Sequence, residues 1–157
     1  VYLWRTSRPH VAIVGRVPGT EHYRNIDRHK VETQSNILAM RPDENLYFAN
    51  AVYLEEYILS EVSEHPEIDQ VLLICNAISF IDTSALESLE SLIIDLREVG
   101  VQVHLAEIKG PVMDRLQRSN LLDDLTPGQI FLSTHEAFEA LRSFNKSDER
   151  SGPEYTI

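Results

Sequence analysis

Residues 70–100 read QVLLICNAISFIDTSALESLESLIIDLREVG, and a change of rhythm within them decides the fold. Residues 71–75 are apolar without a break, the pattern of a strand covered on both faces, so we expect a strand over 70–76. Further on, Leu86, Leu89, Leu92, Ile93, Leu96 and Val99 recur every three or four positions, with Glu87, Glu90, Asp95 and Glu98 between them. That spacing predicts an amphipathic helix, stopped by Gly100. Between the two lies a polar corner, SFIDTSAL (residues 79–86). Ser84 and Glu87 have the spacing of a capping box, which makes Ser84 the expected helix cap. A cap position also suits an anion, because free amides and the helix dipole favour negative charge there.

Working outward, the same alternation continues. Residues 10–15, HVAIVG, predict a β-branched strand closed by the turn residues of RVPGT, and residues 16–36 a long polar loop. Residues 37–40 predict a second short strand ended by Arg41–Pro42. Asn50 is a good N-cap for a helix that places Leu54, Tyr57, Ile58 and Val62 on one face and ends before Pro66. Residues 101–106 alternate as a further strand, with His104 read as a polar residue facing outward. Gly110–Pro111 opens a helix, residues 130–133 form a last strand after Pro127–Gly128, and a final helix starts near Thr134. From Asn145 the composition turns polar and predicts a loose tail. Strands separated by helices make one α/β domain with a mixed, mostly parallel central sheet and helices packed against it.

Composition sets the functional limits. With 157 residues, 43% of them hydrophobic and 25% charged, the chain has the make-up of one globular domain. The lone cysteine, Cys75, sits in an apolar run and reads as a small buried hydrophobe. A net charge of −11 argues against nucleic acid, whose affinity comes from neutralised phosphates. Residues 1–30 nevertheless carry six cations against two acids. No secretory signal and no run of about 18 apolar residues is present. Tyr2 and Trp4 precede Arg5 and Arg8, the order found at the cytoplasmic end of a membrane helix; the same residues suit a short edge strand or a cloning boundary.

Enzymatic patterns fail one by one. Ser84 lacks the flanking glycines of a nucleophile elbow. GRVPGTEHY has glycines at the wrong separation for a phosphate loop and no lysine. A single cysteine and scattered histidines anchor no metal; His22 and His29 read as solvated loop residues. No catalytic residue, metal or cofactor is therefore expected, and nucleotide binding has no motif to support it.

A strand ending in Asp-Thr/Ser-Ser and running directly into an amphipathic helix resembles the STAS domain, shared by bacterial anti-sigma factor antagonists and the cytoplasmic tails of SulP-type sulfate permeases. In the antagonists the motif reads Asp-Ser-Ser-Gly and its second serine is phosphorylated. By that resemblance Asp82, Thr83 and Ser84 form a regulatory corner with Ser84 as phosphoacceptor, while Ala85 stands where the antagonists have glycine. RPHVAIVGRVPGTEHYRNIDRH (residues 8–29) looks like the start of the SulP tail, and LYFANAVYLEEYI (residues 46–58) like its second landmark.

The resemblance implies the C-terminal STAS domain of a bacterial SulP-type anion transporter, with sulfate as the commonest substrate and bicarbonate or a dicarboxylate as the alternatives. The domain would be non-catalytic and regulatory, on the cytoplasmic face of the inner membrane. Residues 1–9 would be a juxtamembrane lead-in, 10–144 the STAS domain and 145–157 a flexible tail. Its implied partners are the transmembrane domain of the same polypeptide, a homodimer partner or a soluble regulatory protein. The competing reading is a stand-alone antagonist that switches on phosphorylation of Ser84.

Overall fold

The computed structural model describes residues 11–16, 23–25 and 36–150. The lead-in with Tyr2 and Trp4, His22, His29 and residues 151–157 lie outside the described residues. In chain order the elements are β1 (Val11–Arg16), β2 (Tyr23–Asn25), β3 (Ile37–Pro42), α1 (Phe48–Glu64), β4 (Gln70–Ile74) and α2 (Thr83–Glu98). They continue with β5 (Gln102–Ala106), α3 (Gly110–Gln117), α4 (Leu121–Leu125), β6 (Ile130–Phe131) and α5 (Thr134–Arg150). One six-stranded sheet runs in the order β2-β1-β3-β4-β5-β6. β1 pairs antiparallel with β2 and β3, and β3 through β6 are parallel. The α/β reading with a mixed, mostly parallel sheet is therefore correct.

The helices divide unequally between the two faces. Leu38, Met40, Val71, Leu73, Val103 and Leu105 point to a large core that also contains Leu54 and Ile58 of α1, Leu89, Leu92 and Leu96 of α2, Leu116 of α3 and Leu121 of α4. Ile37, Ala39, Leu72, Ile74 and Ala106 point the other way, and Ala137, Phe138 and Leu141 of α5 pack into that smaller core. The period-2 alternation of strands and the 3.6-residue period of helices meet here: each helix buries one stripe and each central strand buries both faces. Gly100 takes φ +82 directly after the C-cap Val99, the left-handed turn that glycine makes without a Cβ penalty.

Several sequence expectations need correction. The segment 16–36 is not loop throughout, since Tyr23–Asn25 pairs with the end of β1. His104 does not face outward. It is 1% exposed, because β5 has helices on one side and α5 on the other. Asn50 is not the cap of α1 but lies in its first turn, where its Oδ1 accepts from the N–H of the true cap, Tyr47 (2.6 Å). The short helix α4 was not foreseen, and α5 continues to Arg150, beyond the point where the tail was expected.

Candidate functional site

The corner that follows β4 is fastened to the segment that precedes α1. Leu46 and Ile81 form a parallel bridge, with Leu46 N–H donating to Phe80 O and Asp82 N–H to Leu46 O (both 3.1 Å). Asn45 Oδ1 accepts from the amides of Ser79 (2.7 Å) and Phe80 (3.1 Å). The chain thus reaches Asp82 already extended, at φ −80 and ψ 168, the backbone form that an N-cap requires.

Asp82, not Ser84, caps α2. Its Oδ1 accepts from Ala85 N–H at 2.7 Å, and its Oδ2 accepts from Phe48 N–H, the first residue of α1, at 3.3 Å. One carboxylate therefore serves the starts of two helices, where unpaired amides and both helix dipoles favour negative charge. The capping box expected between Ser84 and Glu87 does not form, since Ser84 is the second residue inside the helix. Thr83 Oγ1 accepts from Arg115 Nη2 at 2.7 Å. Ser84 is exposed, and its hydroxyl makes no hydrogen bond among the described residues. Asp82, Thr83 and Ser84 thus divide three tasks: a cap, a tie to α3, and a hydroxyl presented to solvent.

Around this corner Tyr47, Phe48 and Phe80 are each about half exposed or more, at 50%, 60% and 48%, with the rings of Tyr47 and Phe80 5.7 Å apart. An aromatic patch beside an accessible hydroxyl suits docking of a protein better than chemistry on a small substrate. In a doubly wound sheet, a ligand crevice opens where successive crossovers leave for opposite faces. Here α1, α2 and the α3–α4 pair all pack on the same face, so the described crossovers do not diverge to opposite faces.

His104 Nε2 donates to Gln70 Oε1 (2.6 Å) and its Nδ1 accepts from Gln129 N–H (3.0 Å), which fixes the tautomer. Burial holds its pKa down at about 4. His65 at the end of α1 lies near Glu61 and Glu67. Cys75 is buried as expected; burial, then the nearby charge of Glu107, pushes its thiol up to about 12, so it carries almost no thiolate at neutral pH. Among the described residues no group of three or more His, Cys, Asp or Glu could hold a metal. Asn45, Lys109 and Arg115 at the corner were not foreseen. Their partners lie 30 to 35 residues away in the chain, and no local spacing signals such pairs.

Comparison with known proteins agrees with this geometry. The family model described as "STAS domain" matches residues 28–137. The chain belongs to the STAS domain family. The domain is 34% identical over 145 residues to high affinity sulfate transporter 2 of Stylosanthes hamata, with 86% of this chain and 22% of that protein covered. It is 32% identical over 148 residues to sulfate transporter 1.3 of Arabidopsis thaliana, with 88% and 23% covered. The chain therefore spans less than a quarter of the curated relatives it matches. Among solved structures, the murine anion transporter Slc26a9 superposes with a TM-score of 0.79 at 18% identity, over 90% of this chain and 24% of that one. The STAS domain of a SulP transporter from Vibrio cholerae gives 0.63 at 15%, over 78% and 93%. Phosphorylated SpoIIAA of Bacillus gives 0.55 at 14%, over 70% and 95%. These three share the STAS fold. Among the described residues no helix of this STAS domain is long and apolar enough to cross a membrane.

Proposed function

We propose that this STAS domain is the cytoplasmic regulatory and interaction domain of a SulP-type secondary anion transporter, with sulfate as the transported ion and no catalytic step of its own. The observation that carries the reading is its likeness, over most of its length and at about a third identity, to a stretch making up 22–23% of proteins named as sulfate transporters. The transmembrane domain of the same polypeptide is its first partner in this reading, with a second subunit or a soluble regulator as others. The bacterial setting, at the inner membrane, is part of this proposal.

The proposed regulatory handle is the corner. Asp82 fixes the start of α2, Thr83 connects it to α3, and Ser84 offers an exposed hydroxyl one residue further. A phosphoryl group on Ser84 would sit in the first turn, where the dipole favours it and the Asp82 carboxylate opposes it. A coupling of about 1–3 kcal/mol between this corner and the transporter is enough to shift its activity severalfold.

Two measurements test this. The reading frame around residues 1–157 should encode several hundred apolar-rich residues upstream; a frame opening with Met near residue 1 favours the stand-alone antagonist instead. In the full-length protein, Ser84→Asp should change the rate of sulfate uptake at unchanged expression. Uptake equal to the parent's would remove Ser84 as the handle.

A further inference from the structure

Although the chain carries a net charge of −11, three cations converge on one cleft beside the corner. The cleft encloses about 240 Å³ between the β4–α2 turn, at Ser79, Phe80 and Ile81, and α3 with its C-cap, at Pro111, Arg115 and Arg118. The last three are spaced i, i+4, i+7, so a single stripe of α3 faces the turn. Lys109, the N-cap residue of α3, reaches the same rim by donating to Ser79 Oγ (3.0 Å). Among the described residues no Asp or Glu lines the cleft. Among the described residues none of the three cations forms an ion pair. In a chain with 25 acids and 14 Lys and Arg, a cationic cleft lined without carboxylates is a selective feature.

Arg115 is its centre. Nη2 donates to Thr83 Oγ1, which orients the guanidinium, while Nε is buried and has no hydrogen-bond partner. Buried as it is, Nε is closed to the cleft, which leaves the terminal N–H groups of the guanidinium to meet a bound anion. Terminal N–H groups of a guanidinium make charge-assisted hydrogen bonds to the oxygens of a tetrahedral anion. Arg118 and Lys109 add charge at the open side.

We propose that this cleft binds a tetrahedral oxyanion, inorganic sulfate or phosphate, through Arg115 and Arg118 with Lys109 at the rim. Ser84 does not line it, so the site is distinct from the proposed phosphoacceptor and does not rest on the transporter reading. The same chemistry has a second source, a phosphoryl ester on Thr83, whose oxygen already meets Arg115.

The test is calorimetric titration of the 157-residue chain with sodium sulfate and with sodium phosphate, against sodium chloride at matched ionic strength. Saturable binding of the dianions is expected with Kd on the order of 1 mM, and none of chloride. Loss of one charge-assisted hydrogen bond should weaken it about tenfold in Arg115→Gln and in Arg118→Gln, while Ser84→Ala binds as the parent does. Arg118 is exposed, so its variant tests the site without disturbing the fold, and melting curves check both. Intact-mass analysis separates the sources: an unmodified chain that binds sulfate assigns the free ion. A chain phosphorylated on Thr83 that binds it only after phosphatase treatment assigns the ester. An unmodified chain that takes up neither dianion, or binds chloride equally, or is indifferent to both arginine changes, overturns the proposal. None of these outcomes bears on the reading frame that decides the parent protein.

Discussion

Replacing Asp82 with alanine removes two acceptors at once. The 2.7 Å bond to Ala85 N–H is an N-cap, and losing one costs about 1 kcal/mol. The longer bond to Phe48 N–H, 3.3 Å, places negative charge at the start of α1 and adds about 0.5 kcal/mol at this half-buried position. Together the loss is about 1.5 kcal/mol, which lowers Tm by roughly 3–6 °C in a domain of this size. Asp82→Asn keeps an oxygen for Ala85 and gives up mainly the charge, so it should lose only about 0.5 kcal/mol. Ser84→Ala touches no hydrogen bond among the described residues and should fall within about 0.5 kcal/mol of the parent. Thermal melts by circular dichroism, with urea titrations to check for a constant m-value, rank the three variants. If Ser84→Ala destabilises as much as Asp82→Ala, or Asp82→Ala is silent, the cap has been assigned to the wrong residue and α2 starts elsewhere.

Three further outcomes follow from the core. Burial lowers the His104 pKa from 6.5 to about 4, so between those values the unfolded chain takes up a proton that the folded one refuses. Stability from this group is complete above about pH 6.5 and drains away toward pH 4, by up to ~3 kcal/mol; urea midpoints at pH 7 and pH 4.5 should therefore differ less in His104→Leu than in the parent. A Cβ at Gly128 would lie 1.8 Å from Val103 O and 2.7 Å from Leu125 O, so Gly128→Ala should cost roughly 3 kcal/mol in urea unfolding; a neutral result would mean that the loop before β6 yields freely. Cys75, with its thiol near 12, should resist a thiol reagent at pH 8 in the native state and react promptly in denaturant.

What the sequence disclosed depended on whether the deciding contacts were local. The unbroken run of β4, the leucine spacing of α2 and the proline that opens α3 each carry their period within a few residues, and all three elements stand where expected. Asp82 and Ser84 are both good caps two positions apart. Choosing between them needs the backbone of Leu46, which holds residue 82 extended from 36 positions upstream. Asn50 failed for the same reason, since its carboxamide serves Tyr47 and Asn45 rather than starting the helix. His104 was misjudged because alternation in a strand does not reveal that a helix from the end of the chain covers its second face. The arginines of the cleft had no local signature at all. Their meaning appears only when α3 is laid against a turn about thirty residues earlier.

The sheet order also bears on how the polypeptide assembles. β1 bonds first to β2 and then, on its free side, to β3; after that β4, β5 and β6 each join the newest outer edge. At no step must a segment be threaded between two neighbours that are already bonded. Synthesis from N- to C-terminus can therefore lay the layers down as the ribosome releases them, each new strand finding a template already in place. Among the described elements only α5 turns back, packing on the second side of the sheet once the rest is built.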